Sequence, residues 1–582
     1  MPLNIKRLLQ IKLKTYKEFK KDKSLKFKYK RVVKDYELAV AKWHDESELN
    51  LCKNPSTKKF YNYVKKKINS HTSIPPLTDN KGKLWTTDNQ KAEAFNKFFQ
   101  SVFTTDNGKN LNLSPKSCKP MENFYFTQED IISAMQNMKP KVSRTPEDIP
   151  TLFIKRCLPA LIGPLTFIFN LIFHYNYIPK QWKTAIVIPI FKKQNKHNVE
   201  NFRPISLTSG FCRLFESVIH EKILAHLKLN NLLSRNQFGF LPNRNTGSQL
   251  LTCLFHWLNP PPKTPTHVIY TDFSKAFDSV SHPKLIQNLT SYEINQILIN
   301  WISNFLTDRH QVVAINNTLS SPLLVSSGVP QGSVLGPLLF TIFINDIVDG
   351  SQLLGDTGDI VLFADDMKLY STDIKKLQTT LDFITTWTKT RQLNLADNKC
   401  FSFQISKPIN SIPVKFKIDQ TELKSSILVK DLGIFISQDL KWTHHINFIY
   451  KKASSILYQI LKTFSTKNIW TLLKLYVTYI RPKLEHNTTV WSPFLKKDIR
   501  KLESVQRKFT RVAFLRCGIH FDSYEDRLFK LGLKSLAYRR TEFDLKLMYK
   551  IVNGLSDLKF EDFFVYKPIP YNIRGGSVKI ET

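Results

Sequence analysis

The stretch Ile360-Val-Leu-Phe-Ala-Asp-Asp-Met-Lys-Leu-Tyr370 sets two adjacent carboxylates, Asp365 and Asp366, between two apolar runs. Apolar runs of this length predict a strand, a tight turn and a second strand, with the acids at the tip of the hairpin. Another apolar run, Val268-Ile-Tyr-Thr271, also ends in an acid, Asp272. If these strands are neighbours in one sheet, the three carboxylates converge on one patch.

Carboxylates packed this closely repel each other, and they are most readily tolerated around hard cations such as Mg²⁺. Two such ions, about 4 Å apart, can activate one oxygen and stabilise another in an in-line phosphoryl displacement. Histidine or cysteine ligands would select softer metals. An Asp-Asp pair in a turn also has a bland explanation, because aspartate favours turns for its own side-chain hydrogen bonding. The metal-site interpretation therefore depends on the segments around the acids.

The charge balance points to a polyanionic partner. The chain of 582 residues carries 85 Lys plus Arg against 48 Asp plus Glu, a formal net charge of +37. A surplus of this size favours nucleic acid, and it disfavours a small-molecule metabolic enzyme. A membrane surface is the rival, but it needs a basic amphipathic helix with a large apolar face. We expect no membrane association.

Cysteine usage and the absence of targeting signals predict an intracellular soluble protein. The seven cysteines include no CxxC pair, which disfavours zinc sites and a disulfide framework. The sequence begins without an apolar signal region, and the longest apolar stretch, residues 158–173, is too short to span a bilayer.

Three further segments are candidates for nucleotide contacts. Gly328-Val-Pro-Gln-Gly-Ser333 is a tight loop running into a helix, and it can lay Gln331 against a base pair, although Ser333 also reads as a simple N-cap. Lys192 and Arg203 flank a predicted hairpin from which cations can clamp a triphosphate, or they are bystander charges in a basic chain. Phe277 is either core packing or the wall beneath a nucleotide sugar.

Periodicity predicts a mixed α+β chain with a sheet covered by helices on one face. Predicted strands are Ile186–Ile190, Val268–Asp272 and Ile360–Phe363; predicted helices are Lys91–Phe103, Leu158–Tyr175, Phe211–Asn230, Thr246–Trp257, Leu285–Leu306, Ser333–Ile347, Ile374–Thr388 and Asp498–Val512. The lysine-rich residues 1–70 form either solvated helices or an arm that grips nucleic acid. In the last helix an apolar face opposes a cationic face, either solvated or suited to a phosphate backbone, formed by Arg500, Lys501, Arg507, Lys508 and Arg511.

In order and spacing, these segments resemble a reverse transcriptase of the non-LTR (LINE-type) retrotransposons, close to the jockey-like branch. The resemblance covers most of the chain, and its motifs are Trp182-Lys-Thr-Ala-Ile-Val-Ile-Pro-Ile-Phe-Lys192, Asn201-Phe-Arg-Pro-Ile-Ser-Leu207, Asn236-Gln-Phe-Gly-Phe240, Tyr270-Thr-Asp-Phe-Ser-Lys-Ala-Phe-Asp278, Gly328–Ser333, Phe363-Ala-Asp-Asp366, Leu393-Asn-Leu395 with Lys399, Lys430-Asp-Leu-Gly-Ile434 and Leu440-Lys-Trp442.

The resemblance implies a right-hand polymerase of fingers, palm and thumb, and it implies a role for each matching residue. Asp272 and Asp365 would ligate two Mg²⁺ ions, for which Mn²⁺ can substitute, with Asp366 assisting. The other implied contacts are Lys192 and Arg203 with the triphosphate, Phe277 as a sugar gate, Gln331 and Gly332 with template and nucleotide, Lys399 near the leaving pyrophosphate, and Leu432-Gly433 as the primer grip.

The implied domains are a basic helical connector at 1–120, the start of the fingers at 121–171, the reverse transcriptase domain at 172–436 and a helical thumb with its extension at 437–582. The implied partners are an RNA template, a DNA primer or target and dNTPs, with no obligate protein partner. The family's endonuclease is not visible, so we expect an endonuclease-less fragment. Short basic runs such as Lys65-Lys66-Lys67 suit delivery to the nucleus, with the cytoplasm as the alternative.

Two fingers motifs depart from the family pattern. Thr145-Pro-Glu-Asp-Ile-Pro150 lacks the usual glycines, and Leu241-Pro-Asn-Arg-Asn-Thr246 replaces an Arg-x-Gly-Arg-Ser-Thr pattern. Two alternatives therefore remain: a catalytically silent or host-adopted nucleic-acid-binding protein, and an RNA-templated RNA polymerase. Ala364 and the bulky Phe277 argue against the second.

Overall fold

The structure is a computed structural model that describes residues 2–53, 56–68, 74–78, 82, 84–140, 142, 145–192, 194–261, 264–405, 414–573 and 576–581. The chain divides into two compact units. The catalytic unit comprises residues 73–429 and 556–582, and the helical unit comprises residues 1–72 and 430–555. The predicted connector, residues 1–120, is thus shared between the two units, which are described separately.

The helices are α1 (Leu3–Lys21), α2 (Lys26–Lys53), α3 (Thr57–Ile68), α4 (Asp88–Gln100), α5 (Gln128–Asn137), α6 (Thr151–His174), α7 (Lys180–Lys183), α8 (Gly210–Leu229), α9 (Thr246–Leu258), α10 (His282–Ser291), α11 (Gln296–Leu306), α12 (Leu335–Ile344), α13 (Asp346–Gln352), α14 (Ile374–Arg391), α15 (Thr443–Thr463), α16 (Ile469–Leu475), α17 (Arg481–Glu485), α18 (Thr488–Trp491), α19 (Lys496–Cys517), α20 (Tyr524–Leu531), α21 (Leu536–Val552) and α22 (Phe560–Phe563). Short 3-10 turns cover Lys23–Leu25, Val199–Asn201 and Asp397–Lys399, and a π-helical turn covers Tyr476–Ile480.

The strands are β1 (Leu77–Thr78), β2 (Leu84–Trp85), β3 (Thr184–Phe191), β4 (Phe202–Leu207), β5 (Thr266–Thr271), β6 (Arg309–Ile315), β7 (Thr318–Leu319), β8 (Leu323–Val325), β9 (Asp359–Phe363), β10 (Asp366–Ser371), β11 (Phe401–Ile405), β12 (Lys417–Ile418), β13 (Thr421–Glu422), β14 (Lys424–Ser426), β15 (Leu428–Asp431), β16 (Ile434–Ser437), β17 (Val565–Ile573) and β18 (Gly576–Glu581). The three predicted strands are confirmed within a few residues.

The central sheet of the catalytic unit has the order β14-β11-β5-β10-β9. β5 is buried along its whole length and lies antiparallel to β10, with Thr271 opposite Met367. β9 and β10 form the predicted hairpin, in which Phe363 pairs with Asp366. Because β5 is buried on both faces, its sequence is a continuous apolar run and does not alternate between apolar and polar residues.

A second sheet of the catalytic unit runs β4-β3-β6-β7, with β8 paired to β6. β3 and β4 form a hairpin, and β3 continues parallel to β6. Helix α4 packs on β6, and its Phe95 and Phe99 join Val187, Phe202 and Val313 in one buried cluster. The helix predicted over Lys91–Phe103 is α4; its Ala92, Phe95 and Phe99 are buried, while Phe98 is only partly buried.

Two predicted helices are wrong as single elements. The one predicted over Leu285–Leu306 is two helices, α10 and α11, because Asn295 caps α11 through the backbone N–H groups of residues 297 and 298. The one predicted over Ser333–Ile347 breaks at Asn345, whose amide bonds Leu232 O, Tyr292 Oη and Ser234 N. In both places a polar side chain ends a helix that apolar periodicity alone would continue.

Helix α6 is longer than the apolar stretch in the sequence suggests. Among the described residues it is the one helix long and apolar enough to cross a membrane, with a mean hydropathy of 1.7. Its Leu165, Phe169 and Ile172 are buried in the main core of the catalytic unit. Only 22% of this apolar window is buried, and Phe167, Ile168 and Leu171 are exposed.

In the helical unit, the basic N-terminal helices pack on C-terminal ones. Phe60 is fully buried, with its ring 3.9 Å from that of Tyr479, and Val64 is also buried. Glu48 of α2 is fully buried and accepts hydrogen bonds from Tyr63 Oη (2.8 Å) and from the backbone N–H groups of Ser465 (3.1 Å) and Thr466 (3.0 Å). One face of the lysine-rich segment is therefore structural.

Candidate active site

The candidate active site lies at the end of the central sheet where β5 and the β9–β10 hairpin meet. The ladder between β5 and β10 ends at the pair Thr271–Met367, so Asp272 and Asp366 come directly beyond the last pair. Asp365 occupies the turn between β9 and β10. The sheet therefore brings the two acid-bearing segments together, as the sequence predicts.

The electrostatics of Asp365 show that charged groups gather here. Burial raises the pKa of the Asp365 carboxyl, and the negative charge of Asp272 raises it further. The positive charges of Arg203 and Lys192 act in the opposite direction. Three charged residues from other segments of the chain thus act on one carboxyl group.

Lys399 pairs with the first catalytic candidate. Its Nζ lies 2.8 Å from Asp272 Oδ2, and both side chains are partly exposed. The segment that bears Lys399 is fixed by a hydrogen bond from the N–H of Ala396 to the carbonyl of Asp272 (2.7 Å). The sequence suggested a lysine near departing phosphate, and the structure places it against the acid.

The acids suit a hard divalent cation, and the reverse transcriptase family implies dependence on one. The donor set is carboxylate oxygen, which Mg²⁺ and Mn²⁺ prefer, and a cation would relieve the repulsion that Asp272 exerts on Asp365. Within the described ranges no group of three or more His, Cys, Asp or Glu side chains is arranged to hold a metal ion. The third ligand, Asp366, stays a prediction.

Gln237 supports the catalytic turn, and sequence reasoning missed it. This residue is fully buried, and its Oε1 accepts hydrogen bonds from the N–H groups of Gly239 (2.7 Å) and Ala364 (2.9 Å). A Cβ on Gly239 would lie 2.2 Å from the Ala364 nitrogen, so the loop needs glycine to approach this closely. Residues 236–240 therefore hold the backbone next to Asp365.

Lys192 and Arg203 lie at the same end of the β3–β4 hairpin. Arg203 pairs with Ile190 in the strand register, and the N–H of Lys192 donates to the carbonyl of Asn201 (2.8 Å). Both side chains are exposed. Because each influences the pKa of Asp365, both cations lie close enough to act on a bound anion.

Phe277 lies between two other aromatic rings. Its ring stacks on that of Phe340 at 4.4 Å and meets the ring of Phe240 edge-on at 6.0 Å. Phe277 is only partly buried and Phe240 is half exposed. Phe277 and Phe240 therefore form an accessible aromatic surface, here called the aromatic wall. A residue that packs against a nucleotide sugar needs such a surface.

The loop with Gln331 and Gly332 is clamped on two sides. Gln331 Nε2 donates to Asp278 Oδ1 at 2.9 Å, and the N–H of Val329 donates to the carbonyl of Phe277 at 2.8 Å. On the other side, the N–H of Ser206 donates to the carbonyl of Gln331 at 2.9 Å, and a Cβ on Gly332 would lie 2.2 Å from the Ser206 oxygen. The loop is thus fixed relative to Phe277.

The sequence did not reveal the roles of two acids, the partly buried Asp278 and the fully buried Glu216. Burial raises the pKa of Asp278 to about 6, while the hydrogen bond from Gln331 acts against this. Glu216 is fully buried and accepts from the N–H groups of Val334 (2.8 Å) and Leu335 (3.0 Å), where α12 begins. Asp278 is the last residue of the motif that begins at Tyr270. Glu216 lies in α8, where no sequence pattern marks it as functional.

Ser333 fulfils the capping role suggested for it, since its hydroxyl accepts the N–H of Gly336 at 2.8 Å.

The altered fingers motifs have structural roles in this chain. Glu147 Oε1 accepts from Ser209 Oγ (2.7 Å) and from the N–H of Gly210 (2.8 Å) at the start of α8, and Asp148 adopts the left-handed φ of 55° that glycine favours. Arg244 donates to the carbonyls of Ser234 (2.7 Å) and Gln237 (2.5 Å). The departures are thus compatible with ordered loops.

The predicted primer grip and the cationic helix lie in the helical unit. Leu432 and Gly433 form the turn of the β15–β16 hairpin, with φ of 44° and 94°. On α19, Arg500, Arg507, Lys508 and Arg511 are exposed, opposite buried Leu502, Val505 and Phe509. Lys501 differs, because it is partly buried and its Nζ donates to Asn447 Oδ1.

A sheet that brings acids from two strands to one edge, beneath a cationic hairpin and an aromatic wall, defines an α+β polymerase of the right-hand class. Residues 191–425 match the family described as reverse transcriptase (RNA-dependent DNA polymerase). These residues form a reverse transcriptase domain, and the chain is similar to polymerases of jockey-like non-LTR retrotransposons.

Three curated relatives support this assignment. The probable RNA-directed DNA polymerase from transposon BS of Drosophila melanogaster is 26% identical, over 66% of this chain and 44% of its own length. The RNA-directed DNA polymerase from mobile element jockey of Drosophila funebris is 26% identical, over 66% and 43%. The probable RNA-directed DNA polymerase from transposon X-element of Drosophila melanogaster is 23% identical, over 82% and 54%. The chain thus spans about half the length of these relatives.

Two solved telomerase structures are also similar. One, from Candida tropicalis, is 14% identical over 46% of this chain and 57% of that chain, with a TM-score of 0.33. The other, from Candida albicans in complex with a fragment of telomeric RNA, is 9% identical over 66% and 69%, with a TM-score of 0.34. At these scores the likeness adds nothing to the assignment.

Proposed function

We propose that this protein is an RNA-directed DNA polymerase that extends a primer 3′-hydroxyl with dNTPs on an RNA template, as part of non-LTR retrotransposition. The carrying observation is the meeting of Asp272 and Asp365 beside Lys192, Arg203 and Lys399 inside a reverse transcriptase domain. The reaction is attack of the 3′-oxygen on the α-phosphate of the dNTP, with pyrophosphate leaving.

Asp272 and Asp365, assisted by Asp366, would hold two Mg²⁺ ions. When bound, such ions supply activation of the attacking oxygen and neutralisation of the charge on the leaving group. Lys192 and Arg203 would bind the triphosphate, and Arg203 can do so with a planar fork. Lys399 keeps a further positive charge beside Asp272. Positioning and neutralisation of charge supply most of the acceleration in such transfers.

The same proposal assigns the surrounding residues roles in selecting and positioning the nucleotide. Phe277, held between Phe340 and Phe240, would exclude a 2′-hydroxyl by its bulk. Gln331 and Gly332 would lie against the template base and the incoming nucleotide, and Leu432-Gly433 would support the primer terminus. The template RNA, the DNA primer and the dNTPs are the proposed partners, and the proposed location is the nucleus, the cytoplasm or both.

The test is primer extension by the full chain on poly(rA) with an oligo(dT) primer, dTTP and either Mg²⁺ or Mn²⁺. We expect extension by the wild type and its loss, by at least about a hundredfold, in Asp365→Ala and in Asp272→Ala, because each variant removes a carboxylate that would hold the metal ions. The matched control is Asp419→Ala, which removes an exposed acid paired with Lys389 in the same unit.

Equal extension by Asp365→Ala and the wild type would refute the assignment of the acids. No extension by the wild type, with salt-dependent RNA binding retained, would instead identify a catalytically silent nucleic-acid-binding protein. Extension with rUTP as efficient as with dTTP would contradict the role of Phe277 and favour an RNA polymerase.

A further inference from the structure

A concave surface with no role in the proposed function lies in the helical unit, between α19, α20 and α21. This groove, of about 930 Å³, is lined by apolar and aromatic side chains and by the cations Arg500, Arg507 and Lys534. A drug-sized or nucleotide-sized ligand needs about 300–1,000 Å³. The groove is therefore large enough for a nucleotide.

Two tyrosines give the groove its aromatic surface. Tyr538 of α21 is 56% exposed, and Lys534 Nζ lies 4.3 Å from the centre of its ring. Tyr524 is buried, and its ring is covered by the Arg507 guanidinium at 4.1 Å. An exposed ring beside ordered cations is the combination that binds single-stranded nucleic acid, because bases stack on the ring while phosphates meet the cations.

The acids that line the groove are Glu503 and Glu525, and Lys534 Nζ also lies 3.7 Å from Glu542 Oε2, just outside it. Glu503 is buried and already accepts hydrogen bonds from Tyr524 Oη and from the N–H of Leu536 (3.0 Å). Glu525 is exposed in the first turn of α20. Beyond the groove, Lys508 and Arg511 continue the cationic face of α19. A strand that enters the groove would thus meet further cations along the helix.

We propose that this groove binds a nucleotide of single-stranded RNA or DNA, with its base on Tyr538 and its phosphates on Arg500, Arg507 and Lys534. The proposal rests on the proposed function, since it gives the template or the displaced strand a further binding site in the helical unit. The proposal adds Tyr538 and Lys534 to the cations of α19 as nucleic-acid contacts. It assigns both residues to the binding of single-stranded nucleic acid.

The test is fluorescence anisotropy of the full chain with a labelled single-stranded 20-mer and with a duplex of the same sequence. Tyr538→Ala should weaken single-strand binding about 5- to 100-fold, the range for loss of one stacked base, and leave duplex binding unchanged. Tyr538→Phe, which keeps the ring, should restore wild-type affinity. Arg507→Ala should reduce the slope of log affinity against log salt by about 0.7, the value for one phosphate of a single strand.

The matched control is Tyr549→Ala, on the same helix, 64% exposed and outside the groove. Equal effects of the two alanine variants, or equal loss of duplex binding by Tyr538→Ala, would overturn the proposal. Photocrosslinking of an iodouridine oligonucleotide should label residues 533–538, and labelling elsewhere alone would also overturn it. Because binding is measured without dNTPs, absence of polymerase activity would refute the proposed function and leave this result standing.

Discussion

At Asp278, burial and a hydrogen bond act on the same carboxyl group. The acid ends the segment that carries Phe277, and its Oδ1 receives Gln331 Nε2 at 2.9 Å. Burial outweighs this bond and raises the pKa to about 6. The Asp278 carboxyl group therefore connects Phe277 to the loop that contains Gln331 and Gly332, here called the nucleotide loop. Its ionisation destabilises the folded protein.

We expect Asp278→Asn to raise stability at pH 7.5 by up to about 3 kcal/mol and to make no difference near pH 4. In the wild type the folded pKa is about 6 and the reference value 3.8, so stability falls as pH rises through that window and is lowest above it. Asparagine keeps the acceptor for Gln331 and removes the ionisation.

Thermal unfolding of both proteins between pH 4 and pH 8 measures this difference. The exposed Asp419→Asn is the control, and it should change stability by less than about 1 kcal/mol, since Asp419 belongs to a surface ion pair. A constant gap between Asp278→Asn and the wild type across the whole range would contradict the shifted pKa.

Gln237 gives a second prediction for a single residue. Gln237→Met keeps the volume but removes the acceptor of the buried Ala364 N–H. We expect destabilisation of about 1–3 kcal/mol. We also expect kcat for dTTP incorporation to fall at least about tenfold, with little change in KM, because the turn that carries Asp365 loses its support.

The matched control is Thr380→Val, which removes the acceptor of the Gly358 N–H (2.8 Å), just before the other end of β9. It should cost similar stability and leave kcat near the wild-type value. If both variants lose kcat equally, Gln237 stabilises the sheet without positioning the catalytic turn.

At the scale of elements, α12 shows how one buried acid, Glu216, fixes the position of the loop before the helix. The helix is apolar on all sides and sits in the core, and its first N–H groups are held by Glu216. Burial raises the pKa of Glu216, while these N–H groups and the charge of buried Arg309 oppose the shift. The nucleotide loop just before α12 is thereby anchored from within the protein.

Glu216→Ala should destabilise the catalytic unit by about 3–5 kcal/mol, because it leaves two helix N–H groups without their acceptor and Arg309 without its counter-charge. At permissive temperature KM for dTTP should rise, since the loop with Gln331 loses one anchor. Thermal unfolding and steady-state kinetics measure these effects.

The exposed Glu221→Ala on the same helix is the control and should behave like the wild type. An unchanged melting temperature in Glu216→Ala would show that the buried acid anchors nothing.

For the whole molecule, the N-terminal helices and the C-terminal helices complete one core. Glu48 joins the ends of that unit through the backbone of Ser465 and Thr466, at a separation of more than 400 residues. Such long-range contacts give one cooperative unit from two distant segments of chain.

Glu48→Ala should therefore increase hydrogen exchange in residues 463–468 and leave the central sheet around β5 unchanged. The physical reason is that buried Thr466 loses the acceptor of its N–H. Glu46→Ala, an exposed change two residues away on α2, is the control. Increased exchange in β5 as well would contradict the separation of the two units.

The sequence by itself determined the catalytic hairpin, the buried strand before Asp272 and the amphipathic α19, because each is a local pattern of apolar and charged residues. It also supplied the motifs that mark a reverse transcriptase. The break at Asn345 could not be predicted, because its amide partners Leu232, Ser234 and Tyr292 are distant along the chain. The break at Asn295 is a local cap on residues 297 and 298, a signal that the apolar periodicity concealed.

Only the tertiary structure decided that Lys399 pairs with Asp272, that Gln237 holds the turn before Asp365, and that Glu216 anchors the nucleotide loop. The same holds for the packing of Phe60 against Tyr479. These contacts join residues between about a hundred and over four hundred positions apart. No local pattern encodes such a distance, because it arises when separate elements bury their apolar faces together.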